Sequence, residues 1–396
     1  MDESAERSMS ERAIHSVERG TAAFCRFLAA IDTGLARTHQ SGIYIPKSAW
    51  SLLFGHRAVR GENETRMVKV RWQGDRVLDN NFKYYGRAKN EYRITGFGRG
   101  FNLLRPENTG ALFVLVQMDA EDYEAWVLET EDDIDAFLAH FGMSPTDVGQ
   151  ILKGGEQDVS ALATAEQKEI ETFVQTLGGR FPKAVEMSAA ARRIYNHVYN
   201  HAENIVRNPD KELLAWNHTE YRIFRAIEEA QYGEQVRNGF SSMEAFIEAA
   251  NSVLNRRKSR AGKSLEYHLS AIFDGNHLAY EAQVITEERK KPDFVFPSGK
   301  AYHDLSYPAE KLIVLGAKTT CKDRWRQVVT EADRVRTKYL CTLQQGISPQ
   351  QLHEMQAEHV ILVVPQEYIK TYPQEYQQGI FPLKGFIQFV RETLCD

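Results

Sequence analysis

The chain has 396 residues, 42% of them apolar and 26% charged, which suits a soluble globular protein of two domains, each large enough for its own core. No apolar run approaches the roughly 20 residues of a membrane span, and Met1–Arg7 lacks the apolar core of a signal peptide. Cys25, Cys321, Cys341 and Cys395 form no CxxC pair, so free thiols in a reducing cytoplasm are expected. The net charge of −5 excludes a uniformly basic nucleic-acid binder, yet the charge is segregated. Residues 83–105 carry Lys83, Arg87, Lys89, Arg93, Arg99 and Arg105 against Glu91 alone, and Arg256, Arg257, Lys258, Arg260 and Lys263 follow one another without an acid. Nine acids between Asp119 and Asp135 offset them. Basic faces can dock on phosphates while acidic faces stay in solvent; ordinary solvated faces are the plainer alternative.

In chain order, residues 1–20 form a polar extension, loose or helical. Apolar periodicity predicts a helix over 22–35, interrupted near Asp32-Thr-Gly34. Short strands follow at 42–46, 67–72, 81–85, 111–116 and 123–128, a spacing that predicts a small β-barrel. Two turns in it, Thr38–Tyr44 and Arg87–Arg93, carry polar and charged side chains; Arg or Lys can read guanine edges and Glu can accept from a cytosine amino group. A helix is expected over 131–141. The Gly-, Ala-, Gln- and Glu-rich stretch that follows predicts a hinge at 161–185. Helical periodicity returns over 189–207 and 219–232, from a Ser241/Glu244 capping box to about Arg257, and over 263–273. His197 and His201 could share a metal, but without a third ligand a helix-surface pair is the plainer reading. Trp216 and Tyr221 could stack on a base or simply fill the core.

The chemistry is concentrated in residues 292–331. Asp293–Phe296 and Leu312–Ala317 are apolar, β-branched runs bounded by turns and read as buried strands. Trp325, Val328, Val329, Ala332 and Val335 recur at helical spacing, predicting a helix from Asp323 to about Tyr339. Asp293 then opens one strand, Lys318 ends another and Glu331 sits on the helix. Two carboxylates and an amine at the ends of a sheet suit Mg²⁺ and a phosphodiester. The Asp293–Lys318 pair alone could equally be a buried salt bridge. Lys322, Asp323 and Arg324 can address both halves of a G·C pair, Arg326 suits a phosphate, and the 256–263 bases suit the DNA backbone. A strand at 359–365 and a helix at 383–394 complete an α/β fold with a mixed central sheet.

A Pro-Asp followed by a Lys at a strand end resembles the PD-(D/E)XK nucleases, with Gly316 where their second acid stands. The strings Asn251–Glu266, Lys291–Phe294, Ala301–Asp304 and Ala317–Gln327 resemble the EcoRII-type restriction endonucleases. That resemblance implies a restriction-endonuclease-like α/β core at 186–396, with Glu331 replacing the missing acid. It implies Mg²⁺ held by Asp293, Glu331 and the Ala317 carbonyl, with Glu266 as a further acid and Lys318 acting on the water. It implies a B3-like effector DNA-binding barrel at 21–160, with His39, Tyr44, Arg87, Lys89, Glu91 and Arg93 as contacts; Tyr92 and Gly96 stand where that family has bases. It further implies a CCWGG-like target and a homodimer through the C-terminal domain. A cognate cytosine methyltransferase would protect the same site without direct binding. The amino-terminal domain would block the nuclease cleft until a second DNA copy binds, so a chain starting near residue 185 should cut single-site DNA faster. Two rivals are a DNA-binding regulator with a decayed core, which the presence of Asp293, Lys318 and Glu331 disfavours, and a non-specific repair nuclease, which has no use for a second base-reading domain.

Overall fold

The computed structural model describes residues 7–35, 42–98, 101–154, 161–201 and 203–395. No helix among them is long and apolar enough to cross a membrane.

Helix α1 (Met9–Arg19) opens with a capping box: the Ser8 hydroxyl accepts from Glu11 N, and the Glu11 carboxylate accepts from Ser8 N. Much of the polar N-terminal stretch is therefore helical, and Ala13 and Val17 bury against the sheet behind it. The helix expected over 22–35 is instead strand β1 (Ala22–Phe27). Phe24 faces one core while Ala23, Cys25 and Phe27 face another. A strand buried on both faces is apolar at most positions, so its period of two does not show in the sequence.

Strands β2 (Ile43–Ile45), β3 (Asn63–Trp72), β4 (Arg76–Tyr85), β5 (Tyr92–Thr95), β6 (Leu112–Gln117) and β7 (Asp122–Leu128) follow, then helix α2 (Glu131–His140) and strand β8 (Ile151–Lys153). They pair in the order β2-β5-β4-β3-β7-β6-β1-β8. Strands near opposite ends of that order meet: Arg26 on β1 donates to the Tyr44 carbonyl on β2 (2.6 Å) and pairs with Asp32 (2.9 Å), which accepts from Tyr44 N (3.0 Å). The sheet thus curls around one apolar interior.

Much of the stretch expected as a hinge is helix α3 (Ala161–Thr176). Its Ala, Gln and Glu are good helix formers, and its buried Ile170 packs with Met187 and Ile223. Helix α4 (Ala184–Tyr199) ends where Asn200 turns left-handed (φ 55°). The predicted helix to 207 is therefore broken, resuming briefly as α5 (Asn204–Arg207). His201 faces Glu212 (3.1 Å) and His197 faces Glu169 (3.8 Å), so the two do not share a helix surface. Helix α6 (Pro209–Asn238) is followed by α7 (Met243–Gly275), one helix where two were expected, capped by Ser242 rather than Ser241.

The second sheet is built from β9 (Glu281–Ala282), β10 (Phe294–Phe296), β11 (Ile313–Lys318), β12 (Lys338–Thr342), β13 (Val360–Val364) and β14 (Phe381–Pro382). They lie in the order β14-β13-β12-β11-β10-β9. Pairings from β9 to β11 are antiparallel and from β11 to β14 parallel, giving the expected mixed sheet. Between them run α8 (Gly299–His303), α9 (Trp325–Val329), α10 (Pro349–Ala357) and α11 (Gln366–Ile369), and α12 (Leu383–Cys395) closes the chain. Leu213, Leu265, Leu269, Phe386 and Ile387 cover one face of the sheet; Trp325, Val328, Leu352 and Met355 cover the other.

The helix expected from Asp323 to Tyr339 is confined to α9. Trp325 and Val328 bury in one cluster, whereas Ala332 and Val335 bury in another. Between them the chain turns at Ala332 (φ 57°), and residues from Lys338 become the central strand β12. Glu331 accordingly sits beyond the helix, not on it.

Candidate active site

Asp293 immediately precedes β10 and Lys318 ends the neighbouring β11, so the antiparallel register brings them side by side. The Asp293 carboxylate is nearly buried. Its Oδ2 accepts from Ala317 N (2.7 Å) and lies 3.6 Å from Lys318 Nζ, while its Oδ1 accepts from Gln283 Nε2 (2.9 Å). Glu331 lies near enough for its carboxyl to feel both the Lys318 and the Asp293 charges. Burial pushes its carboxyl up to about 7, opposed by the Lys318 ammonium and reinforced by Asp293. Its Oε2 is buried without a hydrogen-bond partner. From α7, Glu266 accepts from Lys263 Nζ on both oxygens (2.9 and 2.8 Å) and from Gln283 on one (3.2 Å). Burial raises its carboxyl too, with Asp293 adding to the effect.

Gly316 explains why the second acid is missing from β11. A Cβ there would stand 2.7 Å from Val328 Cγ2 of α9. The helix closes the space a carboxylate would need, and Glu331, in the turn after that helix, is the candidate to replace it.

A divalent cation fits this donor set. Glu331 Oε2 is a buried acceptor left open, and each Asp293 oxygen retains a lone pair beyond its present bond. Among the described residues no group of three or more His, Cys, Asp or Glu is placed to hold a metal. A cation here would be held by the two carboxylates, with the Ala317 carbonyl and solvent completing its shell.

The buried Glu331 carboxyl carries a stability consequence. Its folded-state value lies above the ordinary glutamate value of 4.5, so folding favours the protonated form, and the stability it lends below 4.5 is lost as pH rises toward 7. Glu331→Gln should therefore stabilise the metal-free protein at pH 8 by about 1 kcal/mol once partial exposure is allowed for, read as a higher urea midpoint. The advantage should vanish near pH 5, and an equal midpoint at pH 8 would contradict it.

The predicted base-reading segment is already engaged by the acidic run of α2, which does not stay in solvent. A cleft of about 720 Å³ is lined by Glu266, Lys318 and Arg324 on one side and Glu131 and Asp135 on the other. Arg324 pairs with Glu131 (2.7 Å) and with Asp135. Glu131 Oε2 also accepts from Asp323 N (2.6 Å) and Arg324 N (3.0 Å). Lys322 is buried, donating to the Glu129 carbonyl, and burial lowers its ammonium.

Several residues expected at the DNA backbone are engaged within the protein. Arg260 is 5% exposed; it pairs with the buried Glu220 (3.7 Å) and stacks over Tyr221 (3.7 Å), so it holds the helical layer together. Arg256 donates to Gln231 and Tyr232 and covers the Phe181 ring. Arg257 pairs with Glu228 (2.7 Å) and donates to the Ala139 and His140 carbonyls at the end of α2. Lys258 and Lys263 remain exposed; Lys258 lines the cleft, and Arg326 pairs with Glu354 at 2.5 Å. Trp216 and Tyr221 belong to the core.

In the N-terminal sheet, Arg87 and Lys89 are exposed on the turn between β4 and β5. Arg93 is buried, pairing with Glu91 (2.8 Å) and donating to the Gly42 carbonyl (3.1 Å), so this pair ties β5 to the start of β2. Tyr44 lies on β2 beneath the Arg26 guanidinium. His39 and Arg99 lie outside the described residues. Two functional candidates escape the sequence reading: the α2 acids, whose partners are some 190 positions away, and Gln283, which belongs to no motif.

An acid, a lysine and a second acid gathered where the antiparallel half of a mixed sheet meets its parallel half form an arrangement suited to metal-assisted phosphodiester hydrolysis. Residues 17–149 match the family described as restriction endonuclease EcoRII, N-terminal, and residues 224–387 match EcoRII C terminal. The type II restriction enzyme EcoRII of Escherichia coli is 36% identical over 394 residues, covering 94% of this chain and 95% of its own. Among solved structures, metal-depleted Ecl18kI in complex with uncleaved DNA covers 58% of this chain and 85% of its own (19% identity, TM-score 0.45). The PspGI–substrate DNA complex covers 54% and 94% (18% identity, TM-score 0.44). The chain belongs to the EcoRII family of restriction endonucleases and is a type II site-specific deoxyribonuclease of double-stranded DNA.

Proposed function

We propose that this enzyme, a cytoplasmic homodimer joined through its C-terminal domains, cleaves both strands of a CCWGG-like sequence by Mg²⁺-assisted hydrolysis. We further propose that its cleft is shut until a second DNA copy binds the N-terminal sheet. The observation that carries the reading is the cluster of Asp293, Lys318 and Glu331, whose lysine lines the same cleft as the α2 acids Glu131 and Asp135. Asp293, Glu331 and the Ala317 carbonyl would hold the cation. A bound Mg²⁺ supplies a polarised phosphoryl oxygen and a hydroxide nucleophile near neutral pH. Lys318 Nζ, next to Asp293, positions the attacking water and offsets charge developing on the phosphate. Once α2 withdraws, Arg324 and Asp323 are freed to address a G·C pair, and Lys258 and Lys263 meet phosphates.

The N-terminal sheet is read as a B3-like effector module, with Arg87 and Lys89 as its exposed bases and His39, Tyr44, Glu91 and Arg93 completing the candidate contacts. A palindromic target cut on both strands calls for two nuclease domains related by a two-fold axis. A cognate cytosine methyltransferase would act on the same sequence independently. End-mapping of a plasmid of known sequence digested with Mg²⁺ tests the reading. Ends confined to one CCWGG-like sequence are expected; scattered ends indicate a non-specific nuclease, and intact DNA a non-catalytic binder.

A further inference from the structure

Gln283 follows the short strand β9 and holds a left-handed backbone (φ 55°), a conformation uncommon in residues other than Gly, Asn and Asp. Strain of this kind persists only where surrounding contacts enforce it. Here they are specific. Its backbone N donates to the Asp293 carbonyl (3.1 Å), which anchors the residue beside the start of β10. Its side-chain Nε2 donates both to Asp293 Oδ1 (2.9 Å) and to Glu266 Oε2 (3.2 Å). One neutral amide thus spans two carboxylates that come from different elements and repel one another. Asp293 is gripped from its other side by Ala317 N at 2.7 Å. Its carboxylate plane is therefore set by two donors, one per oxygen, and each oxygen keeps a free lone-pair direction. Glu266 differs: both of its oxygens are taken by Lys263, and one is shared with Gln283.

We propose that Gln283 is a positioning residue for the cation site, and that Glu266 acts on that site through Gln283 instead of ligating directly. The inference rests on the reading of Asp293 and Glu331 as cation donors. The line Lys263–Glu266–Gln283–Asp293 runs from the exposed surface of α7 to the donor oxygen. Each member fixes the next, as outer-shell partners do around ligating carboxylates.

The test measures Mn²⁺ binding by electron paramagnetic resonance, using the full chain on a duplex whose scissile positions carry phosphorothioates that resist cleavage. Gln283→Leu keeps the size of the side chain and removes the donor. Gln283→Asn keeps the amide and tolerates the left-handed backbone, but its shorter reach withdraws the donor from both acids. Both variants should bind Mn²⁺ about 10–100-fold more weakly, with unchanged melting temperature. Glu266→Gln should weaken binding to a similar degree, and combining it with Gln283→Leu should add nothing, because both lie on one line of contacts. If the two losses multiply, Glu266 is an independent ligand and the proposal is wrong. Unaltered Mn²⁺ affinity in both Gln283 variants also overturns it, leaving the cation site intact. No Mn²⁺ uptake by the unaltered chain would overturn the cation site itself, and the positioning role with it.

Discussion

Lys318→Ala should bind its duplex with unaltered affinity and cleave it on the order of 10³-fold more slowly, the cost of removing a group aimed at transition-state charge. Asp293→Asn should fall at least as far. The argument is geometric: the Lys318 ammonium stands 3.6 Å from the Asp293 oxygen that Ala317 N also holds, so the two groups address one point beside the sheet. Neither substitution removes an element of the fold, since Lys318 ends its strand and Asp293 precedes its own. Single-turnover cleavage with saturating enzyme, alongside gel-shift binding, separates the chemical step from binding. Cleavage within tenfold of the unaltered rate would move the catalytic centre elsewhere.

The second large effect is a gain. The double substitution Glu131→Ala, Asp135→Ala should speed cleavage of DNA carrying a single target about 10–100-fold. Glu131 is a nearly buried carboxylate bonded to the backbone and guanidinium of Arg324, and breaking a fully buried pair costs roughly 3–5 kcal/mol. Arg324 is 43% exposed, so the figure must be discounted, and what remains sets how far the closed state outweighs the open one. Removing the whole N-terminal unit should do as much or more. The truncation should start at Ala161 and not near 185, because α3 packs into the helical layer through Ile170, and Glu166 accepts from Thr219 at 2.6 Å. Initial rates on linear duplexes with one target, with and without a second duplex in trans, give the comparison. Rates equal to those of the unaltered chain would mean that α2 does not gate the cleft.

The candidate catalytic trio is visible in the chain because each member lies beside a local signal: a Pro-Asp before an apolar run, a Lys ending one, and an acid inside a stretch of helical spacing. Their strands could be placed because short β-branched runs bounded by turns have few other uses. Less legible were elements whose pattern fits two answers. Residues 22–27 and 338–342 are buried on both faces, so neither shows a strand's alternation. The spacing of Val328, Ala332 and Val335 satisfies a helix, although these residues serve two separate cores. Residues 161–176 look like linker by composition but consist of helix formers with one buried stripe. What the sequence does not expose is pairing at a distance. Arg260 and Arg324 read as free bases until Glu220 and Glu131 arrive beside them from elsewhere in the chain.

The claim on which everything else rests is that Asp293, the end of β11 and the turn after α9 surround one divalent cation. Replacing Mg²⁺ by Fe²⁺ with ascorbate and peroxide on DNA-bound enzyme releases hydroxyl radicals wherever the ion sits and cuts the nearby polypeptide. The expected cuts fall at residues 292–294, 316–319 and 330–332, and disappear with excess Mg²⁺. Cuts confined to other segments, or none at these three, would contradict it.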